Sequence, residues 1–279
     1  MNLFYKKFKS LILLLTFVML SSSLLFLYSK PINSKDMTDI TPTLFIHGYK
    51  GGASSFNSMI KRFERNQWGS KRMVFRISNN GQISARGALG DEQNPFIQVI
   101  FENKRSSIEN QTIWLQKVMT KLYQTYGIKQ VNLVGHSMGG LASANLLVTN
   151  SVIPFPRVEK LVVIGSPFKG IDNDHYFSVN YGAATIDLRS ESHSLLNLIE
   201  QKGNFGDHID VLAIAGVIDK SNSDGLVSLA SALGIQDIVP ANKYNQKIFY
   251  DKTATHSGLH EHLGVDKQIA AFLWQIDSN

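Results

Sequence analysis

Short apolar segments alternate with longer segments of helical periodicity along most of the chain. Apolar strands are predicted at 41–47, 73–77, 131–134, 158–165, 210–216 and 244–250. Helices are predicted near 54–63 and at 107–126 and 265–276, because their apolar residues fall on one face. Strands that alternate with helices form a mostly parallel sheet through right-handed crossovers. The pattern therefore predicts an α/β domain with helices on both faces of a central sheet.

Two regions interrupt this alternation. Asn79-Asn80-Gly81 is typical of a hairpin turn, and strand character on both 82–86 and 96–101 predicts a hairpin excursion over 78–103. Residues 167–206 are rich in Gly, Asn, Asp and Ser and contain one amphipathic patch. We interpret them as a cap or lid over a functional site. The alternative is an irregular surface excursion with one packed helix.

The first thirty residues follow a different pattern. Lys6, Lys7 and Lys9 precede an uncharged, largely apolar run at 11–28. Such a run is long for the core of a signal peptide and just long enough to span a bilayer. No A-x-A-like cleavage site follows it, so residues 1–30 are interpreted as an uncleaved signal anchor, with a cleaved signal peptide as the alternative. The basic cluster predicts a cytoplasmic N-terminus and an extracytoplasmic domain.

Residues 31–40 are polar and contain a proline, so they are interpreted as a linker to a single domain at 41–279. The net charge of +6 does not indicate a nucleic-acid partner. Four lysines and no acid lie in residues 1–30, which leaves 24 basic and 22 acidic residues without a basic, aromatic-rich stripe. The chain has no cysteine, so neither a disulfide framework nor thiol chemistry is expected.

The motif G-H-S-M-G at 135–139 lies between an apolar strand and a helix start rich in small residues. Strand, G-x-S-x-G and helix in this order are typical of a nucleophile elbow. The turn is so sharp that Ser137 is expected in a strained backbone conformation, with its hydroxyl above the sheet edge. Side chains at 135 and 139 would collide at this turn, so both positions require glycine.

A serine hydroxyl needs an imidazole to accept its proton and a carboxylate to orient that imidazole. On this type of sheet the order along the chain is serine, acid, histidine. His256 lies between the final strand and the closing helix and is predicted to be the base, with His260 as the second choice. Asp224 is predicted to be the acid because residues 225–227 can anchor its loop in the core. Asp219 is the alternative.

A glycine-rich loop at 48–52 follows the first strand. It lacks G-K-[ST] and G-x-G-x-x-G, so no nucleotide site is predicted. In a hydrolase such a loop contributes to the oxyanion hole, which we expect to consist of the backbone N–H groups of Tyr49 and Met138. His47 is assigned a structural role beside this loop. The segment His260-Glu261-His262 lacks a third ligand at usable spacing, so no metal site is predicted.

Four of these segments resemble alpha/beta hydrolases, and in particular the Gram-positive bacterial family of "cell surface hydrolases" of unknown function. The matching pieces are FIHGYKGGASSF, LVGHSMGG, SDGLVSLASALG and THSGLHEH, within about residues 41–276. The resemblance implies the alpha/beta-hydrolase fold, a Ser137–Asp224–His256 triad, and esterase-like or lipase-like chemistry. It implies no particular substrate, and no cofactor is expected.

The sequence thus predicts an exported serine hydrolase that cleaves carboxylic esters through an acyl-enzyme. Its expected partners are a small-molecule or lipid-like ester and, through the N-terminal segment, the cell membrane. Cleavage of that segment would make the domain a secreted one. Two alternatives use the same fold: a catalytically silent surface binding module, and an acyltransferase in which a hydroxyl acceptor outcompetes water.

Overall fold

The computed structural model of the chain describes residues 40–90, 92–149, 153–219 and 221–276. The predicted anchor at 1–30 lies outside the described residues, as does the predicted linker apart from residue 40. Within the described ranges, none of the helices combines the length and the apolar character that crossing a bilayer requires.

Eight strands form one sheet. They are β1 (Thr43–Ile46), β2 (Ser70–Ile77), β3 (Ile83–Gly87), β4 (Pro95–Phe101), β5 (Gln130–His136), β6 (Arg157–Ile164), β7 (Asp210–Val217) and β8 (Tyr244–Tyr250). Their order across the sheet is β3-β2-β4-β1-β5-β6-β7-β8. Every neighbouring pair is parallel except β2 and β3. The mostly parallel sheet predicted from the sequence is confirmed.

Helices cover both faces of this sheet. They are α1 (Ser54–Arg65), α2 (Ile108–Tyr126), α3 (Met138–Val148), α4 (Asp174–Val179), α5 (Ala183–Asp187), α6 (His193–Glu200), α7 (Leu229–Ala232) and α8 (Leu263–Trp274). Successive side chains of a strand point to opposite faces. In β1, Leu44 and Ile46 accordingly join one buried apolar cluster with α2 and α3. Phe45 joins a second cluster with α1 and α8.

The ends of α2 follow from local chemistry. The Ser107 hydroxyl accepts a hydrogen bond from the Asn110 N–H, which satisfies one of the unpaired donors of the first turn. Gly127 adopts a left-handed conformation with φ of 69° and ends the helix. The helix predicted at 107–126 is therefore confirmed to within one residue.

The predicted hairpin excursion at 78–103 needs a correction. β2 and β3 form the antiparallel hairpin, with Phe75 opposite Ala85. β4, however, lies between β2 and β1 and pairs parallel with both. All seven of its residues are buried, as is usual for an inner strand of a parallel sheet. The excursion therefore contains β3 alone.

Residues 167–206, which we call the cap segment, contain the short helices α4, α5 and α6. Leu195 and Leu198 of α6 are buried, whereas no residue of α4 is. The C-terminal part of this segment therefore packs as part of the domain. Its α4 part lies on the surface, where it meets the loop that follows β1.

Candidate active site

Ser137 stands at the sharp turn between β5 and α3. Its φ of 55° and ψ of −127° are strained for a residue with a side chain, as the sequence motif predicts. Two main-chain hydrogen bonds hold it: the Ser137 N–H donates to the Ile164 oxygen at 2.8 Å, and the Gly140 N–H donates to the Ser137 oxygen at 3.0 Å. The rigid frame of β5 and β6 therefore sets the position of the hydroxyl.

The glycines of the elbow are required by contacts with main-chain atoms. A Cβ on Gly135 would lie 2.5 Å from the Gly140 nitrogen, and one on Gly139 would lie 2.3 Å from the Ile46 oxygen. Contacts this short do not occur, and backbone atoms cannot move aside as the end of a flexible side chain can. The predicted collisions are therefore present, and they involve the start of α3 and the end of β1.

We expect Gly135→Ala to lower the free energy of unfolding by about 3 kcal/mol, the upper end of the usual cost of overpacking, because its neighbours are backbone. Urea denaturation followed by circular dichroism measures this change. Gly203→Ala is the matched control, since a Cβ there meets nothing within 4 Å. Equal stability of the two variants would contradict the steric account of the elbow.

The structure brings Ser137, His256 and Asp224 together. Nε2 of His256 lies 3.1 Å from the Ser137 hydroxyl oxygen, and Nδ1 lies 2.8 Å from Oδ2 of Asp224. A carboxylate only accepts hydrogen bonds, so Nδ1 of the neutral imidazole carries the proton. Nε2 is then free to accept the proton of the hydroxyl. This tautomer is the one that a general base requires.

Asp224 is buried and is held in place by hydrogen bonds. The side chain is 1% exposed, and its Oδ1 accepts hydrogen bonds from the N–H groups of Leu226 at 2.9 Å and Val227 at 2.7 Å. Its backbone oxygen accepts from the His256 N–H at 2.8 Å. Val227 is buried, as expected for an anchor of this loop. Asp219, the alternative acid, is exposed and forms no hydrogen bond or ion pair with His256 in the described part of the chain.

A second imidazole supports the loop that carries His256. His136 is buried inside the elbow, and its Nε2 lies 2.9 Å from the backbone oxygen of His256. The carbonyl can only accept, so His136 is the donor. Burial, reinforced by the charges of His256 and His260, holds the pKa of His136 well below its usual value. It is therefore a neutral structural donor, a role that the sequence motif did not reveal.

His260, the second choice for the base, forms no hydrogen bond with Ser137 among the described residues. Its ring packs edge-on against His136, with 4.9 Å between the ring centroids, and Nδ1 lies 3.3 Å from Glu261. Arg62 of α1 then anchors this stretch by donating to the backbone oxygen of His260 at 2.9 Å and to the carboxylate of Asp266. The loop that carries His256 and His260 is thus held by a residue nearly two hundred positions earlier, which no local pattern could indicate.

The loop after β1 packs directly on the elbow. A Cβ on Gly48 would lie 2.7 Å from the Ser137 Cβ and 3.2 Å from the Met138 nitrogen, so only glycine allows this approach. Among the described residues, neither the Tyr49 N–H nor the Met138 N–H has a hydrogen-bond partner. Both donors predicted for an oxyanion hole therefore remain available beside Ser137.

His47 holds this loop in place as a neutral imidazole. Its Nε2 accepts a hydrogen bond from the Phe101 N–H at 3.0 Å, so Nδ1 carries the proton and donates to the Gly48 oxygen at 2.8 Å. Burial is the main cause that lowers its pKa to about 4, and the nearby charge of Lys104 adds to it. A proton on Nε2 would break the bond to β4.

We therefore expect stability to fall as the pH drops from about 6.5 to about 4. In this window the unfolded state binds the proton that folded His47 excludes, which costs up to about 1.4 kcal/mol per pH unit. Urea denaturation at pH 7, 6 and 5 should give a flatter pH dependence for His47→Gln than for the parent. His175→Gln, at an exposed position, should retain the parent's slope. Equal slopes for all three proteins would contradict this assignment.

Ser137 opens into a cavity of about 450 Å³. The lining residues are Gly48, Tyr49, Lys50, Gly51, Ser54, Ser55, His136, Ser137, Tyr176, Asn180, Leu226, His256, Ser257 and His260. Tyr176 and Asn180 come from the cap segment. That segment therefore forms one wall of the cavity, as the cap interpretation expects.

The cap segment and the loop after β1 are joined by polar contacts. The Tyr49 hydroxyl donates to the Tyr181 oxygen at 2.8 Å and accepts from the Tyr181 N–H at 3.2 Å. Nζ of Lys50 donates to Oδ1 of Asn180 at 2.7 Å. The loop that carries the Tyr49 N–H is therefore tied to the cap.

Within the described ranges, no group of three or more His, Cys, Asp or Glu side chains is arranged to hold a metal ion. In the segment His260-Glu261-His262, the two histidines have different surroundings. His262 lies 2.9 Å from Asp251, whereas His260 packs on His136.

Sequence comparison identifies the family to which this fold and site belong. Residues 30–276 match the family described as alpha/beta hydrolase of unknown function (DUF915). The chain belongs to this family. The resemblance of the four sequence segments to alpha/beta hydrolases is thereby confirmed. A comparison with the curated proteins found no match to this chain.

Solved structures give the same answer for the fold. The product of the lin2722 gene of Listeria innocua is 28% identical, with a TM-score of 0.75 over 86% of this chain and 96% of that one. A candidate cell surface hydrolase from Lactobacillus plantarum WCFS1 is 22% identical, with a TM-score of 0.66 over 85% and 91% of the two chains. A lipase-esterase related protein from Clostridium acetobutylicum is 16% identical, with a TM-score of 0.51 over 86% and 96%. At identities this low, the last two show a common fold only.

Proposed function

We propose that this alpha/beta hydrolase is a serine esterase that cleaves carboxylic esters through an acyl-enzyme. The observation that carries the proposal is the continuous chain of contacts from the Ser137 hydroxyl through His256 to Asp224, at 3.1 and 2.8 Å. A buried carboxylate that orients an imidazole against a strained serine has a clear chemical use, because it makes the hydroxyl a nucleophile.

The reaction takes two steps. The Ser137 oxygen attacks the acyl carbon while Nε2 of His256 takes the hydroxyl proton, and the Tyr49 and Met138 N–H groups stabilise the oxyanion. Collapse of the tetrahedral intermediate breaks the bond to the alcohol, which leaves with the proton from His256. Water then attacks the acyl-enzyme and gives a proton to His256. His256 passes this proton to the Ser137 oxygen as the acyl–oxygen bond breaks, which releases the acid and free Ser137.

The test is turnover of p-nitrophenyl esters from acetate to palmitate, combined with labelling by a fluorophosphonate. We expect turnover, and the dependence on acyl length identifies an esterase or a lipase. Labelling without turnover would indicate a competent serine behind a site too narrow for these esters. A protein that neither turns over any ester nor reacts with the probe would contradict the proposal and favour a surface binding module.

We further propose that the domain acts outside the cytoplasm, tethered by residues 1–30. The support is the basic cluster followed by the uncharged run at 11–28. Protease added to intact cells should degrade the domain, and after lysis the protein should remain in the membrane fraction. Protection from protease in intact cells would contradict the proposal. Recovery of a shortened chain from the culture medium would indicate cleavage and secretion.

A further inference from the structure

One basic side chain lines the cavity that contains Ser137, and two more lie on the loop after β4, which is bonded to the loop after β1. Lys50 lines the cavity itself. The backbone oxygen of Lys104, on the loop after β4, accepts a hydrogen bond from the Lys50 N–H at 2.9 Å. Nζ of Lys104 lies close to Gly52, since a Cβ added to that glycine would be 3.4 Å away from it. Arg105 stacks on the Tyr181 ring of the cap segment at 4.4 Å. We call Lys50, Lys104 and Arg105 the basic rim.

No carboxylate neutralises the basic rim within the described part of the chain. None of its three side chains has an acidic partner within ion-pair distance. The ammonium of Lys50 is bonded to a neutral amide, that of Asn180. Nε of Arg105 is buried without a hydrogen-bond partner. A buried guanidinium nitrogen left unpaired is costly, so the rim has unused capacity to bind an anion.

Two acidic side chains, Asp187 of the cap segment and Glu102 shortly before Lys104, form no ion pair with the basic rim. Asp187 is occupied, because it accepts hydrogen bonds from the Ile108 N–H at 2.7 Å and the Ser194 hydroxyl at 2.8 Å. Glu102 is exposed and forms no ion pair among the described residues. The described residues that line the cavity include no aspartate or glutamate. A negative group that enters the cavity would therefore meet Lys50 and no carboxylate among the described lining residues.

The backbone conformation of Lys50 is consistent with a role in binding. Lys50 has a φ of 57°, a left-handed conformation that is uncommon for a residue with a side chain. Strain of this kind persists where the surroundings hold it, often at binding sites. Here the Lys50 N–H is held by Lys104, and Nζ by Asn180.

We propose that the basic rim binds a negatively charged group of the substrate, so that the preferred ester carries a carboxylate or a phosphate away from its scissile bond, at the entrance of the cavity. The inference rests on the proposed esterase function. Attraction between partly exposed charges is modest and screened by salt, so the effect is one of selectivity among esters. The anion has two sources, a small soluble ester or a lipid headgroup.

The soluble source is tested with mono-4-nitrophenyl suberate and its methyl ester, which differ by one negative charge. The measured quantity is the ratio of kcat/KM for the anionic ester to kcat/KM for the neutral ester. We expect this ratio to fall by roughly threefold to fivefold in Lys50→Gln and in Arg105→Gln. Arg105→Lys should retain it. High salt should lower the parent's ratio.

Lys202→Gln is the matched control, since Lys202 is exposed and its side chain forms no hydrogen bond or ion pair in the described structure. It makes the same change of charge and should leave the ratio unaltered.

The lipid source is tested by fatty-acid release from phosphatidylglycerol and phosphatidylcholine in micelles of a neutral detergent. A charge preference confined to one pair of substrates identifies the source. The proposal is overturned if, for both substrate pairs, the ratio does not change in Lys50→Gln and Arg105→Gln. It is also overturned if the ratio changes equally in Lys202→Gln.

A binding measurement separates this inference from the proposed function. Isothermal titration of the Ser137→Ala protein with suberic acid monoanilide, an amide that need not be cleaved, reports anion binding without catalysis. We expect its affinity to exceed that of the corresponding methyl ester and to fall when Lys50→Gln is added. If no ester is turned over but this pattern is found, the esterase proposal fails and the anion site stands. Equal affinities for the acid and the methyl ester would overturn the anion site.

Discussion

Ser137→Ala is expected to lower kcat/KM for p-nitrophenyl esters by about 10⁴-fold or more and to abolish labelling by a fluorophosphonate. The Ser137 hydroxyl is the oxygen held 3.1 Å from Nε2 of His256. Alanine leaves the imidazole and the oxyanion donors in place but removes the atom that forms the acyl-enzyme, so only weak catalysis by water remains.

Ser257→Ala is the matched control, because Ser257 lines the same cavity and has no hydrogen bond to the imidazole of His256. It should retain labelling and most of the turnover. Unchanged circular dichroism would show that both variants are folded. Labelling that persists in Ser137→Ala would exclude Ser137 as the nucleophile.

Asp224→Asn is expected to lower kcat by about 10²- to 10⁴-fold, with a smaller change in KM. The reason is the tautomer of His256. Asparagine keeps one oxygen, which the N–H groups of Leu226 and Val227 hold in their present bonds. Its amide nitrogen then faces Nδ1 of His256 as a donor, so Nδ1 must accept and Nε2 carries the proton. An imidazole protonated on Nε2 cannot take the proton of Ser137.

Asp219→Asn makes the same chemical change at an exposed position and should leave kcat close to that of the parent. Steady-state kinetics with a short-chain p-nitrophenyl ester, over a range of pH, measures both variants. If Asp219→Asn were inactive and Asp224→Asn fully active, the role of the acid would pass to Asp219.

The sequence predicted most of the sheet and misplaced one strand within it. The strands at 41–47, 158–165 and 210–216 each correspond to a strand of the structure to within a few residues. The sequence pattern predicts 96–101 as part of a hairpin excursion, because an apolar strand six residues long carries no information about which strands lie on either side of it. Its place between β2 and β1 depends on the whole sheet.

The candidate site also combines features that the sequence predicted with features that it did not predict. The elbow was predictable because the glycines at 135 and 139 and the strained Ser137 belong to one five-residue motif, whose sterics are local. His256 and Asp224 could be ranked by their order along the chain and by the apolar residues after Asp224. The roles of His136 and Arg62 in holding the loop that carries His256 could not be inferred, since each contacts residues more than one hundred positions away.

By itself, the sequence determined the alternation of strands and helices, the nucleophile elbow and the set of histidines and acids from which a triad could be drawn. These features depend on contacts between near neighbours in the chain, and such contacts follow from residue type and spacing. The tertiary structure decided the order of the strands, the pairing of His256 with Asp224, and the contacts of Lys50 and Arg105 with the cap segment. Those contacts join segments that are far apart in sequence, and they exist only because the packing of the sheet brings the strand ends and loops to one edge.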